Sequence, residues 1–151
     1  MTSDRSQLAS ARSGFADPDE HVILADRLSK EPLAPAVVGG DQTMADAMTW
    51  VVLALIEAEE RGITQANVNA MVEQAEADAS QTALRRFLGI DGALGSKLGL
   101  PNDFVVRVIQ ATGNYGEIYD RHLGPATPVA IPRGANRLAE DGGLMIAPPF
   151  T

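Results

Sequence analysis

The sequence predicts a mainly α chain with one or two short strands, and three observations predict it. Apolar residues recur at helical spacing in three stretches, Gln42 to Arg61, Phe104 to Thr112 and Tyr115 to His122. Only two short extended candidates occur, Val22 to Leu24 and Leu33 to Val38, with no alternation of four good strands. After Gly124 the chain is punctuated by Pro125, Pro128, Pro132, Gly134, Gly142, Gly143, Pro148 and Pro149, which forbid long elements of either kind.

In chain order, residues 2 to 20 are polar and small, weakly helical over Ser6 to Ser13, with a turn at Asp17-Pro18-Asp19-Glu20. Pro32 and Pro35 limit Leu33 to Val38 to an edge or a crossover, because proline has no N–H to give a ladder. Asp41 offers an N-cap for the strongest helix, Gln42 to Arg61, whose expected face carries Met44, Ala47, Met48, Val51, Leu55 and Ala58, and Gly62 is its natural stop. Thr64 caps a second, alanine-rich helix through Asn67, Met71 and Ala75, with a break or continuation at Asp78-Ala79-Ser80 before Leu84, Phe87 and Leu88. Gly89, Gly92, Gly95 and Gly99 interleave with Leu94, Leu98 and Leu100, a pattern of short turns folded onto a partner. Pro101 suits a first helical turn before Phe104, Val105, Val108, Ile109 and Thr112. Between Gly113 and Gly124, Tyr115, Ile118, Tyr119 and His122 fall on one helical face, Asn114 is an N-cap, and Glu117 stands four residues before Arg121. This is read as a docking helix with packed rings and hydrogen-bonded hydroxyls. The remainder is an extended wrap pinned by Leu138, Leu144, Ile146 and Phe150.

A net charge of −8 argues against nucleic acid, whose phosphates demand a basic face. The absence of cysteine removes disulfides, thiolate nucleophiles and cysteine metal sites together. No apolar run is long enough to span a membrane, and Met1 to Ser6 has no apolar region of an export signal, so the chain as written is expected to stay in the cytoplasm. An enzyme is not expected. His21 and His122 lie beside acids, but no G-x-S-x-G elbow supplies a nucleophile, and Gly89 to Gly99 lacks the lysine of a phosphate loop. Asp17, Asp19, Glu20 and His21 read as a solvated acidic loop rather than a metal site, and no cofactor is implied. Trp50 and Phe104 read as core; Arg12, Arg85, Arg86 and Arg121 as scattered, solvated or ion-paired residues.

Four stretches carry a resemblance: Ser29-Lys30-Glu31-Pro32-Leu33; Gly62 to Val68; Gly113 to Tyr119; and Pro132-Arg133-Gly134 through Gly142-Gly143-Leu144 to Ala147-Pro148-Pro149. In this order they resemble the C-terminal part of the periplasmic general L-amino-acid-binding proteins of polar amino acid ABC transporters. The resemblance implies the C-terminal half of a two-lobed α/β periplasmic-binding fold of type II. Residues 1–38 would be a remnant of the second lobe with its crossover strand, 39–124 a helical region packing on the first lobe, and 125–151 an extended wrap. It also implies a role for Asp4, in the setting Thr2-Ser3-Asp4-Arg5-Ser6, as acceptor for the α-ammonium of a bound L-amino acid. The family's carboxylate-gripping arginine belongs to the earlier half; Arg5 does not match it and is expected to pair outward. The family's partner is an ABC permease and its compartment the periplasm. Two roles are therefore expected: a truncated amino-acid-binding protein whose own ligand binding is weak or lost, or a non-binding module that self-associates. The second would use Met44, Met48, Val51 and Leu55, laid bare, and the Leu33 to Val38 edge, in a homodimer or higher oligomer.

Overall fold

A computed structural model describes residues 1–29 and 31–150; Lys30, within one of the matched stretches, and Thr151 lie outside it. About half of the chain is helical. Among the described residues seven α-helices follow in order: α1 (Arg5–Ser13), α2 (Gln42–Glu60), α3 (Val68–Ala77), α4 (Thr82–Phe87), α5 (Leu94–Lys97), α6 (Phe104–Thr112) and α7 (Tyr115–His122). Short 3-10 turns sit at Pro18–Glu20, Gly134–Asn136 and Ala139–Asp141. The chain divides into two compact units, one of residues 1–35 with 119–133, the other of 36–118 with 134–151.

The larger unit is organised by α2. The Asp41 carboxylate accepts from the Met44 N–H at 2.9 Å and opens the helix as expected. Gly62, at φ 64°, reverses the chain beyond its end. Ala47, Ala54 and Ala58 are buried on one face, and these small side chains let α2 lie against α6. Val105 and Ile109 of α6, with Ile63, Val68, Phe87 and Leu88, complete the interior. Phe150 arrives from the far end of the chain and meets Trp50 and Phe87 edge-on, each with centroids 5.0 Å apart. Glu57, buried on α2, pairs with Arg61 at 2.6 Å, and the Arg61 guanidinium lies 5.4 Å from the Phe87 ring centre. Glu60 beside it is pushed up by burial and by its hydrogen bond to Glu57.

The break after α3 is an Asx turn, in which Asp78 accepts from Ser80 N–H at 2.9 Å. Arg85 closes the corner: it donates to the Ala75 carbonyl at 2.7 Å, capping α3, and pairs with Asp91 at 2.7 Å. Gly89 and Gly95 are needed for contact: a Cβ at Gly89 would stand 1.9 Å from the Asn102 carbonyl, and one at Gly95 2.2 Å from that of Pro101. A reciprocal pair starts α7: Asn114 Oδ1 accepts from Glu117 N–H at 2.9 Å, and Glu117 accepts from Asn114 N–H at 2.8 Å. The same two side chains reach the α2–α3 turn, where Asn114 donates to the Ile63 carbonyl at 2.9 Å and Glu117 accepts from Gln65 N–H at 3.0 Å.

Four expectations need correction. Neither Val22 to Leu24 nor Leu33 to Val38 is a strand; the sole bridge among the described residues joins Leu138 and Met145. A strand exists only against a partner, and among the described residues no segment lies alongside either stretch in a ladder. Leu144 and Ile146 do not pin the C-terminal segment, being 72% and 64% exposed. Extended residues two apart point the same way, so with Met145 bridged toward Leu138 both flank it outward. His122 is exposed, and the docking face of α7 narrows to Tyr119, flanked by half-buried Tyr115 and Ile118. On α2, Met44 is 50% exposed, but Met48, Val51 and Leu55 are half-buried, since the helix turns its alanine seam to α6 and leaves them at the margin.

Candidate functional site

The smaller unit carries the sequence-predicted site residue. Asp4 stands at the N-cap of α1 in extended conformation, φ −57° and ψ 145°, with its carbonyl accepting from Leu8 N–H at 2.9 Å. Its carboxylate makes no capping bond. Glu31 lies close by, and hydrogen bonding with Asp4 and the charge of Asp4 push the Glu31 carboxyl above the usual carboxylate range. Two carboxyl groups in such contact share a proton or relax around a cation, and an ammonium group has the donors to serve both. Asp4 was singled out through the resemblance alone, and Glu31 stood in the sequence only as a member of the Ser29 to Leu33 stretch.

Beyond Asp4, one face of α1 opens on a cavity of about 210 Å³ lined by Arg5, Ala9, Arg12, Ile23 and residues 129–132. Residues 5, 9 and 12 share that face at i, i+4 and i+7. Ala9 and Ile131 are buried at its floor. The opposite wall is held by the Ile131 N–H donating to the Leu123 carbonyl at 2.7 Å and by Tyr119 Oη donating to the Pro132 carbonyl at 3.3 Å. Ala130 in that wall has φ 42°, the sole positive value outside glycine among the described residues. The Arg133 guanidinium lies 5.6 Å from the Tyr119 ring centre. Arg5 and Arg12 therefore face one cavity together, where the sequence suggested an outward pair and a scattered residue.

His21 stacks on Phe15 at 4.5 Å, with Nδ1 3.2 Å from the Asp17 carbonyl. Among the described residues no three potential metal ligands cluster, and no helix is long and apolar enough to cross a membrane. A second hollow, of about 60 Å³ beside Arg86, Asp91 and Phe150, holds little more than water.

No family model matches the chain. Known proteins do. It is 47% identical over 98% of its length to the general L-amino acid-binding periplasmic protein AapJ of Rhizobium johnstonii, and 44% identical over 99% to the glutamate/glutamine/aspartate/asparagine-binding protein BztA of Rhodobacter capsulatus. A solved ABC transporter periplasmic binding protein from Brucella ovis, with glutathione bound, superimposes on 99% of the chain with a TM-score of 0.89 and 42% identity. Fold and sequence agree on the class, a part of a periplasmic binding protein. The chain belongs to the family of amino-acid-binding periplasmic proteins. It spans 42% and 43% of the length of those two curated relatives and 46% of the Brucella protein.

Proposed function

We propose that this chain serves in the solute-binding component of an amino acid ABC transporter, capturing L-amino acids in the periplasm for a membrane permease. The observation that supports this is identity of 36–47% across nearly the whole chain to proteins named for that role. In this reading residues 1–38 belong to the second lobe and its crossover, 39–124 to the helices on the first lobe, and 125–151 to the closing wrap. Asp4 receives the α-ammonium, and Glu31 beside it is the second acceptor. The arginine and side-chain pocket of the family lie outside the stretches matched here, so this polypeptide alone does not hold an amino acid tightly. Removing one partner of a buried charge pair costs about 2–5 kcal/mol, and each 1.4 kcal/mol is about tenfold in affinity.

Calorimetry with neutral L-amino acids tests the reading. The chain alone gives no heat, whereas the chain joined to the remainder of its relatives' length binds, and Asp4→Ala abolishes that binding. Tight binding that survives Asp4→Ala overturns the role of Asp4.

Exposed apolar side chains favour a second reading, in which the chain is a self-associating module. Leu33, Val38 and Met44 each stand in water, and large apolar side chains left exposed favour association. Light scattering separates the two: a homodimer that Val38→Asp or Met44→Glu dissolves supports the module, and a helical monomer at micromolar concentration removes it.

A further inference from the structure

We propose that Asp91–Gly92 is a latent site of isoaspartate formation, and that Arg85, by gripping the Asp91 carboxylate, keeps this bond intact in the folded protein. The sequence holds two aspartyl-glycine bonds, Asp91–Gly92 and Asp141–Gly142. At such a bond the glycine nitrogen can reach the aspartate Cγ, because glycine has no side chain to hinder the approach. A Cγ–N bond forms and the Cγ–OH bond breaks, the hydroxyl leaving as water with the proton from the nitrogen. Water then opens the five-membered imide. Entry at the Cα carbonyl breaks the original peptide bond and leaves the chain running through the side chain, with one extra methylene in its backbone. Mass is unchanged, and nothing but water takes part.

The two bonds are held in different ways. At Asp141–Gly142 the nucleophile is tied: the Gly142 N–H donates to the Ala139 carbonyl at 3.0 Å, and the Gly143 N–H to that of Leu138 at 2.9 Å. A Cβ at Gly143 would stand 1.9 Å from the Arg137 carbonyl, so this backbone is packed too closely to swing. At Asp91–Gly92 the nucleophile is loose. Among the described residues no backbone carbonyl accepts the Gly92 N–H, and the space within 4 Å of a Cβ there is open. What is held is the electrophile. Arg85 donates to both Asp91 oxygens, at 2.7 Å and 3.0 Å, and this fork fixes the plane of the carboxylate. The guanidinium is itself anchored by its bond to the Ala75 carbonyl at 2.7 Å, and the Arg85 carbonyl accepts from the Ile90 and Asp91 N–H groups at 2.9 Å and 3.2 Å. It therefore cannot follow the carboxylate if that turns toward Gly92. The same hydrogen bonds keep the Asp91 carboxyl below its usual range, and an ionised carboxylate has no hydroxyl to lose as water. Gly92, Ala93 and Leu94 border Phe150, so an added methylene would enter the turn beside the ring that seals the core.

Prolonged incubation of the full chain at mildly acid pH, followed by peptide mapping with electron-transfer fragmentation to separate aspartate from isoaspartate, is the test. The folded chain accumulates little isoaspartate at either residue, and the chain in denaturant accumulates it at both. Arg85→Gln raises conversion at residue 91 several-fold toward the denatured rate and leaves residue 141 unchanged, so that residue 141 reports whether the variant is still folded. Asp91→Asn opens the fork, since an amide offers one oxygen only, and deamidates at residue 91 in the folded chain because the nucleophile is free. Conversion at residue 91 as fast in the native chain as in denaturant overturns the proposal. So does an Arg85→Gln variant that changes neither residue or raises both alike, and so does an Asp91→Asn chain that stays intact, which would place the protection in the backbone.

Discussion

In the larger unit Phe87, Ile63, Leu88 and Ile109 are almost wholly removed from water; in the smaller one the buried apolar side chains are Ala9, Tyr119 and Ile131, while Val22, Leu24, Leu28 and Leu33 are 70–86% exposed. Both regions are rich in aliphatic residues. What separates them is periodicity. The larger unit repeats its apolar residues at helical spacing, so successive turns present one continuous face. The exposed four of the smaller unit fall in a segment broken by Pro32 and Pro35, where no element gathers them to one side. Apolar content becomes a core only when geometry collects it.

The sharpest way to break this comparison is to remove a ring from each unit. Phe87→Ala should destabilise the chain by about 3–5 kcal/mol, read by denaturant unfolding, because Phe150 and the Arg61 guanidinium both rest on that ring. Tyr119→Ala should cost about 3 kcal/mol, removing the support of the Pro132 carbonyl as well as a buried ring. An unchanged melting temperature for Tyr119→Ala would show that the smaller unit is not held by its ring. Asn114→Ala comes next, at about 1–3 kcal/mol, since it orphans the Ile63 carbonyl and the Glu117 N–H together. Hydrogen exchange should show the loss first at Gln65 and the start of α7. Smallest is Leu28→Ser, within about 0.5 kcal/mol, the value for a side chain that packs on nothing.

Acid should separate the units in opposite senses. Hydrogen bonds from Arg85 hold the Asp91 carboxylate below its usual range, so its stabilisation is present above an unfolded pKa of about 3.9 and is lost as pH falls through the folded value. Glu31 is raised by Asp4, so the stabilisation from its shared proton is full below about 4.3 and is lost as pH rises through the raised value. Carboxyl NMR should find Glu31 titrating well above Asp91, and Asp4→Asn should bring it down.

Much of the larger unit was legible in residues 42–118. The caps at Asp41 and Asn114, the stop at Gly62 and the stripe of α6 are local signals, and each formed where its chemistry placed it. Less legible was anything decided by a distant partner. Val22 to Leu24 has strand residues but no strand beside it, and the spacing of α2 showed its stripe without revealing that the alanines, rather than Met44, would seat α6. In the candidate site Asp4 was found through the resemblance. The convergence of Arg5 and Arg12 follows from helical spacing, but a cavity needs a second wall, and residues 129–132 reach it from more than a hundred positions away.

The position of Phe150 sets a clock. Trp50 and Phe87 leave the ribosome well before the side chain that seals them, and at about 5–20 residues per second the delay after Phe87 is on the order of several seconds. Throughout that interval both rings lack their edge-on partner, and the nascent helices present them to whatever else is near. Chaperone capture of the growing chain should therefore peak between synthesis of Phe87 and synthesis of Phe150.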